Sequence, residues 1–225
     1  MGQAIGEILP LAVGVAVSPV PIIAVILMLF TPQARRNASA FAVGWVLALL
    51  IVGTIALLLS DASDVDSDET SSDLAYTVKL LLGVLFVLLA VRQWQTRPKE
   101  GEEPEMPKWM ATIDTFTPGK SFGLGALLAG LNPKNLGLTL AAAVSIAQAG
   151  LDTGEEFLVL LVFVLVASVT VVGPVLYYLL AGASAERNLN DLKGWLMANN
   201  HAVMATLLLV FGAVLIGQGF GGLTA

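Results

Sequence analysis

The chain has 225 residues, of which 56% are hydrophobic and 12% are charged, and its mean hydropathy of +0.84 lies outside the range of soluble globular domains. Cysteine is absent and histidine occurs once, which excludes disulfides, thiolate metal sites and clusters of histidine ligands, so we expect no metal and no other cofactor. The net charge of −6 argues against a nucleic-acid partner, because phosphate binding needs clustered Lys and Arg.

Six apolar segments are each close to, or longer than, the roughly 20 residues that cross a bilayer as a helix. They cover residues 4–30, 38–60, 74–92, 119–149, 155–182 and 199–219. A chain in lipid must satisfy its own backbone hydrogen bonds, so these segments predict an all-α integral membrane protein with six transmembrane helices. The remainder is too short for a separate soluble domain, and a single membrane domain over residues 1–225 is expected.

Basic residues are concentrated in one of the two sets of alternate loops. They are Arg35, Arg36, Arg92, Arg97, Lys99, Lys108, Lys120, Arg187 and Lys193, whereas the other set has only Lys79. The positive-inside rule therefore predicts that these loops are cytoplasmic and that both termini lie outside.

The outer loop over residues 61–73 is dense in Asp and Ser. An EF-hand loop needs a Gly at its turn and a Glu at its twelfth position, and neither is in place here. We expect a solvated acidic loop, with cation binding left open.

A charged tract at residues 97–105 indicates a hinge, and the apolar residues that follow it repeat at helical spacing. These residues are Met106, Trp109, Met110, Ile113 and Phe116. They predict an amphipathic helix that lies flat at the cytoplasmic interface. The chain then divides into repeat one (about 1–95), a linker (about 96–118) and repeat two (about 119–225).

Proline interrupts the first and the fourth segments near their middles, in Ser-Pro-Val-Pro (18–21) and Asn-Pro-Lys-Asn (132–135). Each proline removes a backbone donor, which frees the carbonyls of Val15 and Val17 in the first segment and of Ala129 in the fourth. Free polar groups at membrane depth are tolerated only beside protein or a wet cavity, so a binding site is predicted. Its candidate substrate-binding residues are Ser18, Pro19, Pro21, Asn132, Pro133, Lys134 and Asn135.

Superposing Pro19 on Pro133 also places the second segment on the fifth, and the third matches the sixth once the extra cytoplasmic loop of the second half is allowed for. Three spans in each half give the halves opposite orientations, so the pattern predicts two inverted 3+3 repeats with broken helices 1 and 4. Many secondary transporters use this arrangement for alternating access. The alternative is that the prolines only kink the spans for packing.

Lys134 would cost about 2.5–3.5 kcal/mol at the centre of a transmembrane helix. We expect it to face a hydrated cavity, where it and the N–H groups of the restarting helices would attract an anion. The alternatives are a snorkelling side chain or a structural partner for the freed carbonyls. Glu7 and Asp114 are the nearest acids and the candidates for ion coupling.

Three features together resemble a known family: the two prolines Pro19 and Pro21 in the first span, Trp109 at the start of the linker, and Asn-Pro-Lys-Asn-Leu (132–136) in the fourth span. They are similar to the sulfolipid-addressing or peptidoglycolipid-addressing proteins, a branch of the lysine-exporter superfamily. Ser18 stands where that superfamily often has Gly, and Val20 separates the prolines, so the amino-acid exporter branch fits less well. The resemblance implies a multi-pass protein of a prokaryotic plasma membrane that exports a lipid or glycolipid and has membrane lipids as partners.

Other functions stay open at this point. The chain could be an accessory subunit of an envelope-lipid export complex, or it could export amino acids or ions. An intramembrane hydrolase would need a Ser with a nearby base, such as Ser184 and His201, but the Gly-x-Ser-x-Gly pattern is incomplete, and we expect no enzyme and no catalytic residue. A homodimer is possible but not required, because two repeats can close a site within one chain.

Overall fold

The computed structural model describes residues 1–64, 68–97 and 108–224, and every regular element in these ranges is helical, which confirms the all-α class. The eight α-helices of these ranges are α1 (Gly2–Ala16), α2 (Pro19–Leu29), α3 (Ala34–Asp64), α4 (Asp68–Gln95), α5 (Pro118–Gly130), α6 (Pro133–Ala147), α7 (Thr153–Ala181) and α8 (Ala183–Leu223). A 3₁₀ helix covers Lys108–Thr115.

Helices α3, α4, α7 and α8 are long and apolar enough to cross a membrane, and α1 with α2, which bend by 53° at their break, give a fifth candidate span. The chain is therefore a membrane protein. Helices α5 and α6 have 13 and 15 residues, which gives each a length of roughly 20–22 Å, less than the roughly 30 Å hydrocarbon core. The sixth span, which would combine α5 and α6, stays a prediction.

The long helices expose large aliphatic side chains on their outward faces, as expected where the solvent is lipid. Side chains of this kind that are more than half exposed include Ile51, Leu58, Leu81, Leu88, Leu165 and Val169.

Glycines set the closest helix contacts. A Cβ on Gly83 of α4 would lie 2.7 Å from the Ile216 nitrogen and 2.8 Å from the Gly212 oxygen of α8, and one on Gly219 would lie 2.7 Å from the Leu80 nitrogen. Since higher numbers on α8 meet lower numbers on α4, these two helices are antiparallel. Their backbones approach this closely because there are no side chains between them.

The helix ends that carry the basic residues come together. The Asn37 amide donates to the Phe116 carbonyl at 2.9 Å, which joins the start of α3 to the chain just before α5. The side chains of Gln93 and His201 approach to 3.2 Å, which joins the end of α4 to α8. We call this the basic end. It carries Arg35, Arg36, Arg92, Arg97, Lys120, Arg187 and Lys193.

The linker differs from its prediction. Its described part is a 3₁₀ helix rather than an α-helix, and at three residues per turn Met110, Ile113 and Phe116 share one face. Met110 and Ile113 are buried in the protein core, so this face packs against the bundle. The position of the linker at the membrane interface stays a prediction. Met106 and the tract 98–105 lie outside the described residues.

Two predicted loops are also helical. The backbone at residues 61–64 and 68–73 extends α3 and α4, so the prediction of a loop was wrong there. Residues 65–67, and the side chains of 61–72 with their predicted solvation and open cation binding, lie outside the described residues. The chain between the fifth and sixth segments belongs to α8, which begins at Ala183 directly after Gly182. Gly182 has a φ of 57°, a left-handed conformation that ends α7 and lets α8 begin at the next residue.

Candidate broken-helix site

The two interruptions are built in the same way. Ser18 is the N-cap of α2 and Asn132 is the N-cap of α6, and a proline follows each cap as the first helical residue. Proline suits this position because its missing N–H would have no partner there. The Asn132 Oδ1 accepts a hydrogen bond from the Lys134 backbone N–H at 3.0 Å, which caps α6.

Lys134 joins the two breaks. Its side chain is 2% exposed, and its Nζ donates to the Gly14 carbonyl at 2.5 Å, to the Val17 carbonyl at 3.0 Å and to the Ser18 hydroxyl at 2.8 Å. An ammonium group has three hydrogens, so each has an acceptor. A residue of the second half therefore holds the end of the broken helix of the first half.

The remaining carbonyls at the end of α1 also have partners. The Ser18 hydroxyl lies 2.6 Å from the Val15 oxygen, to which it donates. The Ala16 oxygen accepts from the Ser18 N–H at 2.8 Å and from the Thr170 hydroxyl of α7 at 2.5 Å. The freed carbonyls of Val15 and Val17 were predicted from the prolines, and the structure confirms that side chains satisfy them. We call the oxygens of residues 14–17 the carbonyl cluster.

Asn135 completes the connection between the halves. Its Oδ1 lies 3.1 Å from the Ser18 hydroxyl, and its Nδ2 donates to the Leu128 carbonyl near the end of α5 at 3.0 Å. Asn135 is fully buried, so its amide satisfies backbone groups that water cannot reach. The structure thus brings Ser18, Lys134 and Asn135 into one hydrogen-bonded group, with Asn132 beside it.

This geometry matches one of the alternatives for Lys134, a structural partner for freed carbonyls. A cation at the C-terminal end of α1 is also favoured by the helix dipole. In this conformation the ammonium has no donor left for an anion, so the expected role in attracting a head group stays a prediction.

The two coupling candidates lie apart from the break. Glu7 is exposed on α1, two turns before Gly14, where its carboxylate accepts from Gln3 at 3.3 Å. Asp114 is exposed on the 3₁₀ helix. Neither contacts Lys134, and no cluster of potential metal ligands occurs among the described residues.

A cavity lies at each end of α6. One of about 380 Å³ adjoins its first residues at the basic end, between α4 and α8, and is lined by Arg92 and Pro133 among others. The other, of about 310 Å³, adjoins Gln148 at the far end and is lined by Val78 of α4. Arg92 is 14 positions after Val78, which corresponds to about 21 Å along α4. The cavities are therefore on opposite sides of the broken-helix site.

Several polar residues of this region were missed from the sequence. Thr170 had no signal, because a lone Thr in an apolar span usually only packs. Lys79 was identified only as the one basic residue of its set of loops, and its burial was not predicted; its Nζ lies 2.8 Å from the Gln148 Oε1. Glu156 is buried on α7, near the end that faces away from the basic end.

Comparison with known proteins gives one match, to a protein family. No curated protein and no solved structure matches the chain. The profile of the family described as Sap, sulfolipid-1-addressing protein, matches residues 8–221, which include both breaks and the linker. This agrees with the resemblance carried by Pro19, Pro21 and residues 132–136. The chain is therefore a membrane protein that belongs to the sulfolipid-1-addressing protein family.

Proposed function

We propose that this protein is a secondary exporter that moves a lipid, a glycolipid or a small solute outward by alternating access. The observation that carries the proposal is the pair of broken helices that meet through Lys134, with a cavity on either side of them. Broken helices that face each other are the element that many secondary transporters use to open a site to one side of the membrane at a time.

The helix contacts support an inverted repeat. In an inverted repeat, α1, α2, α3 and α4 correspond to α5, α6, α7 and α8, in this order. Most of the observed helix contacts have a counterpart under this correspondence. For example, α3 packs on α5 and α6, and α7 packs on α1 and α2. Helices α4 and α8, which correspond to each other, are antiparallel, as an axis in the membrane plane requires. On this proposal α5 and α6 together form the sixth span.

The distribution of charge supports the orientation. The basic end is the cytoplasmic side in our proposal, which puts both termini outside a prokaryotic plasma membrane. The cavity beside Arg92 then faces the cytoplasm and the cavity beside Val78 faces outward.

Lys134 has two successive roles in the proposed cycle. While the half-helices are together it holds the carbonyl cluster, and when they separate its ammonium becomes free for the anionic group of a substrate. The substrate-binding set is the one predicted from the sequence: Ser18, Pro19, Pro21, Asn132, Pro133, Lys134 and Asn135. Glu7 and Asp114 remain the proposed coupling residues.

Two other functions are less well supported. An accessory subunit of a lipid-export complex would share the fold but would not need two cavities on opposite sides of a break. A hydrolase based on Ser184 and His201 is disfavoured, because both lie on α8 and are separated by 17 residues, or about 25 Å. His201 is engaged with Gln93 instead. We therefore propose no enzymatic activity.

Reconstitution in liposomes tests the proposal. Liposomes that contain only this protein are loaded with a fluorescent phosphatidylglycerol, and appearance of the lipid in the opposite leaflet is followed by quenching from outside. An exporter of anionic lipid should raise the rate above that of protein-free liposomes. Lys134→Ala should abolish this increase, whereas Lys120→Ala, which removes a lysine from an exposed position, should keep it. If neither lipid, amino acids nor ions cross, the protein is not an exporter by itself and the accessory role is favoured.

A further inference from the structure

The cavity at the basic end has a polar wall on α4 that the broken-helix site does not use. Arg92, Gln93 and Thr96 of α4 form this wall, and Asn132 and Lys134 of the broken-helix site border the cavity at the start of α6. Met204 and Leu208 of α8 close the other side. The cavity volume of about 380 Å³ is within the range of small-molecule sites.

The charge on this wall is positive. Arg92 is exposed to the cavity side of α4 and makes no ion pair with any residue that the structure describes, and the described lining contains no carboxylate. Lys134 also borders the cavity, but its ammonium is engaged by the carbonyl cluster. The Arg92 guanidinium is therefore the cation that a ligand in this cavity would meet.

The remaining polar groups are mostly hydrogen-bond donors. α6 is 15 residues long and directs the positive end of its dipole toward the cavity. The Asn132 Oδ1 is used by the helix cap, so its amide nitrogen remains available as a donor. Gln93 and Thr96 are held by His201 and by the Arg92 carbonyl, respectively, so they shape the wall of the cavity.

We propose that this cavity is a binding subsite for an oxyanion, the phosphate, sulfate or carboxylate of a ligand, held between the Arg92 guanidinium and the start of α6. An Arg fork fits two oxygens of such a group. The role of the subsite in loading substrate from the cytoplasmic side rests on the proposed function, but oxyanion binding itself can be measured without transport.

The chain offers a matched control. Arg97 follows the end of α4, and its guanidinium lies 4.0 Å from the Trp94 ring centroid. Neither Arg97 nor Trp94 lines the cavity. Arg92→Gln and Arg97→Gln therefore remove the same charge near the end of α4, but only the first changes the cavity lining. Arg92→Lys keeps the charge without the fork.

The test measures binding of two probes to purified protein in phosphatidylcholine nanodiscs, namely phosphatidylglycerol as a lipid oxyanion and glycerol 3-phosphate as a soluble one. We expect Arg92→Gln to weaken binding of the preferred probe about tenfold or more, Arg92→Lys to weaken it less, and Arg97→Gln to leave it within about twofold. Unfolding temperatures of all variants should match the wild type, since both arginines are exposed.

The outcomes separate the possibilities. Selective loss of phosphatidylglycerol binding assigns the subsite to a lipid head group, and selective loss of glycerol 3-phosphate binding assigns it to a soluble oxyanion. Equal effects of Arg92→Gln and Arg97→Gln, or no binding of either probe by the wild type, overturn the subsite. If Arg92 proves essential for binding while liposomes show no flux, the subsite stands and the exporter function fails.

Discussion

Replacing Lys134 by Met removes the ammonium that joins the two breaks but keeps most of the side-chain volume. The Gly14 and Val17 oxygens then lose their Lys134 donor inside the bundle. A buried polar atom left without a partner costs about 1–3 kcal/mol, so the two carbonyls together predict a loss of about 2–6 kcal/mol. For a chain of this size that corresponds to a fall in unfolding temperature of roughly 4–24 °C.

The assay is thermal unfolding of purified protein in a mild detergent, followed by tryptophan fluorescence. Lys120→Met is the matched control, because it makes the same change at an exposed position of the basic end, where we expect an effect within about 0.5 kcal/mol. If Lys134→Met is as stable as Lys120→Met, the carbonyl cluster does not depend on Lys134 and the reasoning is refuted.

A rescue experiment separates the ammonium from the space it fills. Lys134→Ala leaves a gap that matches n-propylammonium, which should raise the unfolding temperature of this variant and not that of the wild type. Tetramethylammonium has no N–H donor and should have no such effect. If both ions raise the unfolding temperature of Lys134→Ala equally, the lost hydrogen bonds to the carbonyl cluster do not explain its lower stability.

Two further substitutions test the contacts around the site. Thr170→Val removes the hydroxyl that donates to Ala16 but leaves the Ser18 N–H on the same oxygen, so we expect a loss of about 0.5–1.5 kcal/mol in the same unfolding assay; an unchanged stability would contradict the bond. Gly44→Ala places a Cβ against the Phe122 carbonyl of α5, and we expect a loss of about 1–3 kcal/mol. A Cβ on Gly123 of α5 has no atom within 4 Å, so Gly123→Ala is the control and should be neutral or stabilising by up to about 1 kcal/mol. Equal effects of Gly44→Ala and Gly123→Ala on stability would argue against close packing of α3 on α5.

The position of the breaks followed from covalent chemistry. Proline has no N–H, so the carbonyls of Val15 and Val17 had to lose their helical donors, and the structure has them bound by side chains. Gly14 was not predicted, because its oxygen is freed only when the Ser18 N–H turns to Ala16 instead. That turn depends on how α2 restarts, which no local pattern specifies.

Partners of the breaks were harder to predict than the breaks themselves. Lys134 was identified by the cost of burying its charge, but whether it meets water, an anion or carbonyls depends on how α1 and α6 pack. Thr170 is 154 residues away from Ala16 in the sequence, and no motif marks it. The type of helix in the linker could not be predicted, because residues 110, 113 and 116 satisfy both a three-residue and a 3.6-residue period over so short a segment.

Alternating access between the two cavities is the central claim, and paired distance measurements test it most directly. The sequence has no cysteine, so spin labels can be placed at Thr96→Cys/Met204→Cys across the basic-end cavity and at Ser60→Cys/Val144→Cys across the opposite one. Double electron–electron resonance in nanodiscs, with and without phosphatidylglycerol, measures both distances. Conditions that lengthen one distance should shorten the other. Two distances that stay fixed, or that change in the same direction, would contradict the account.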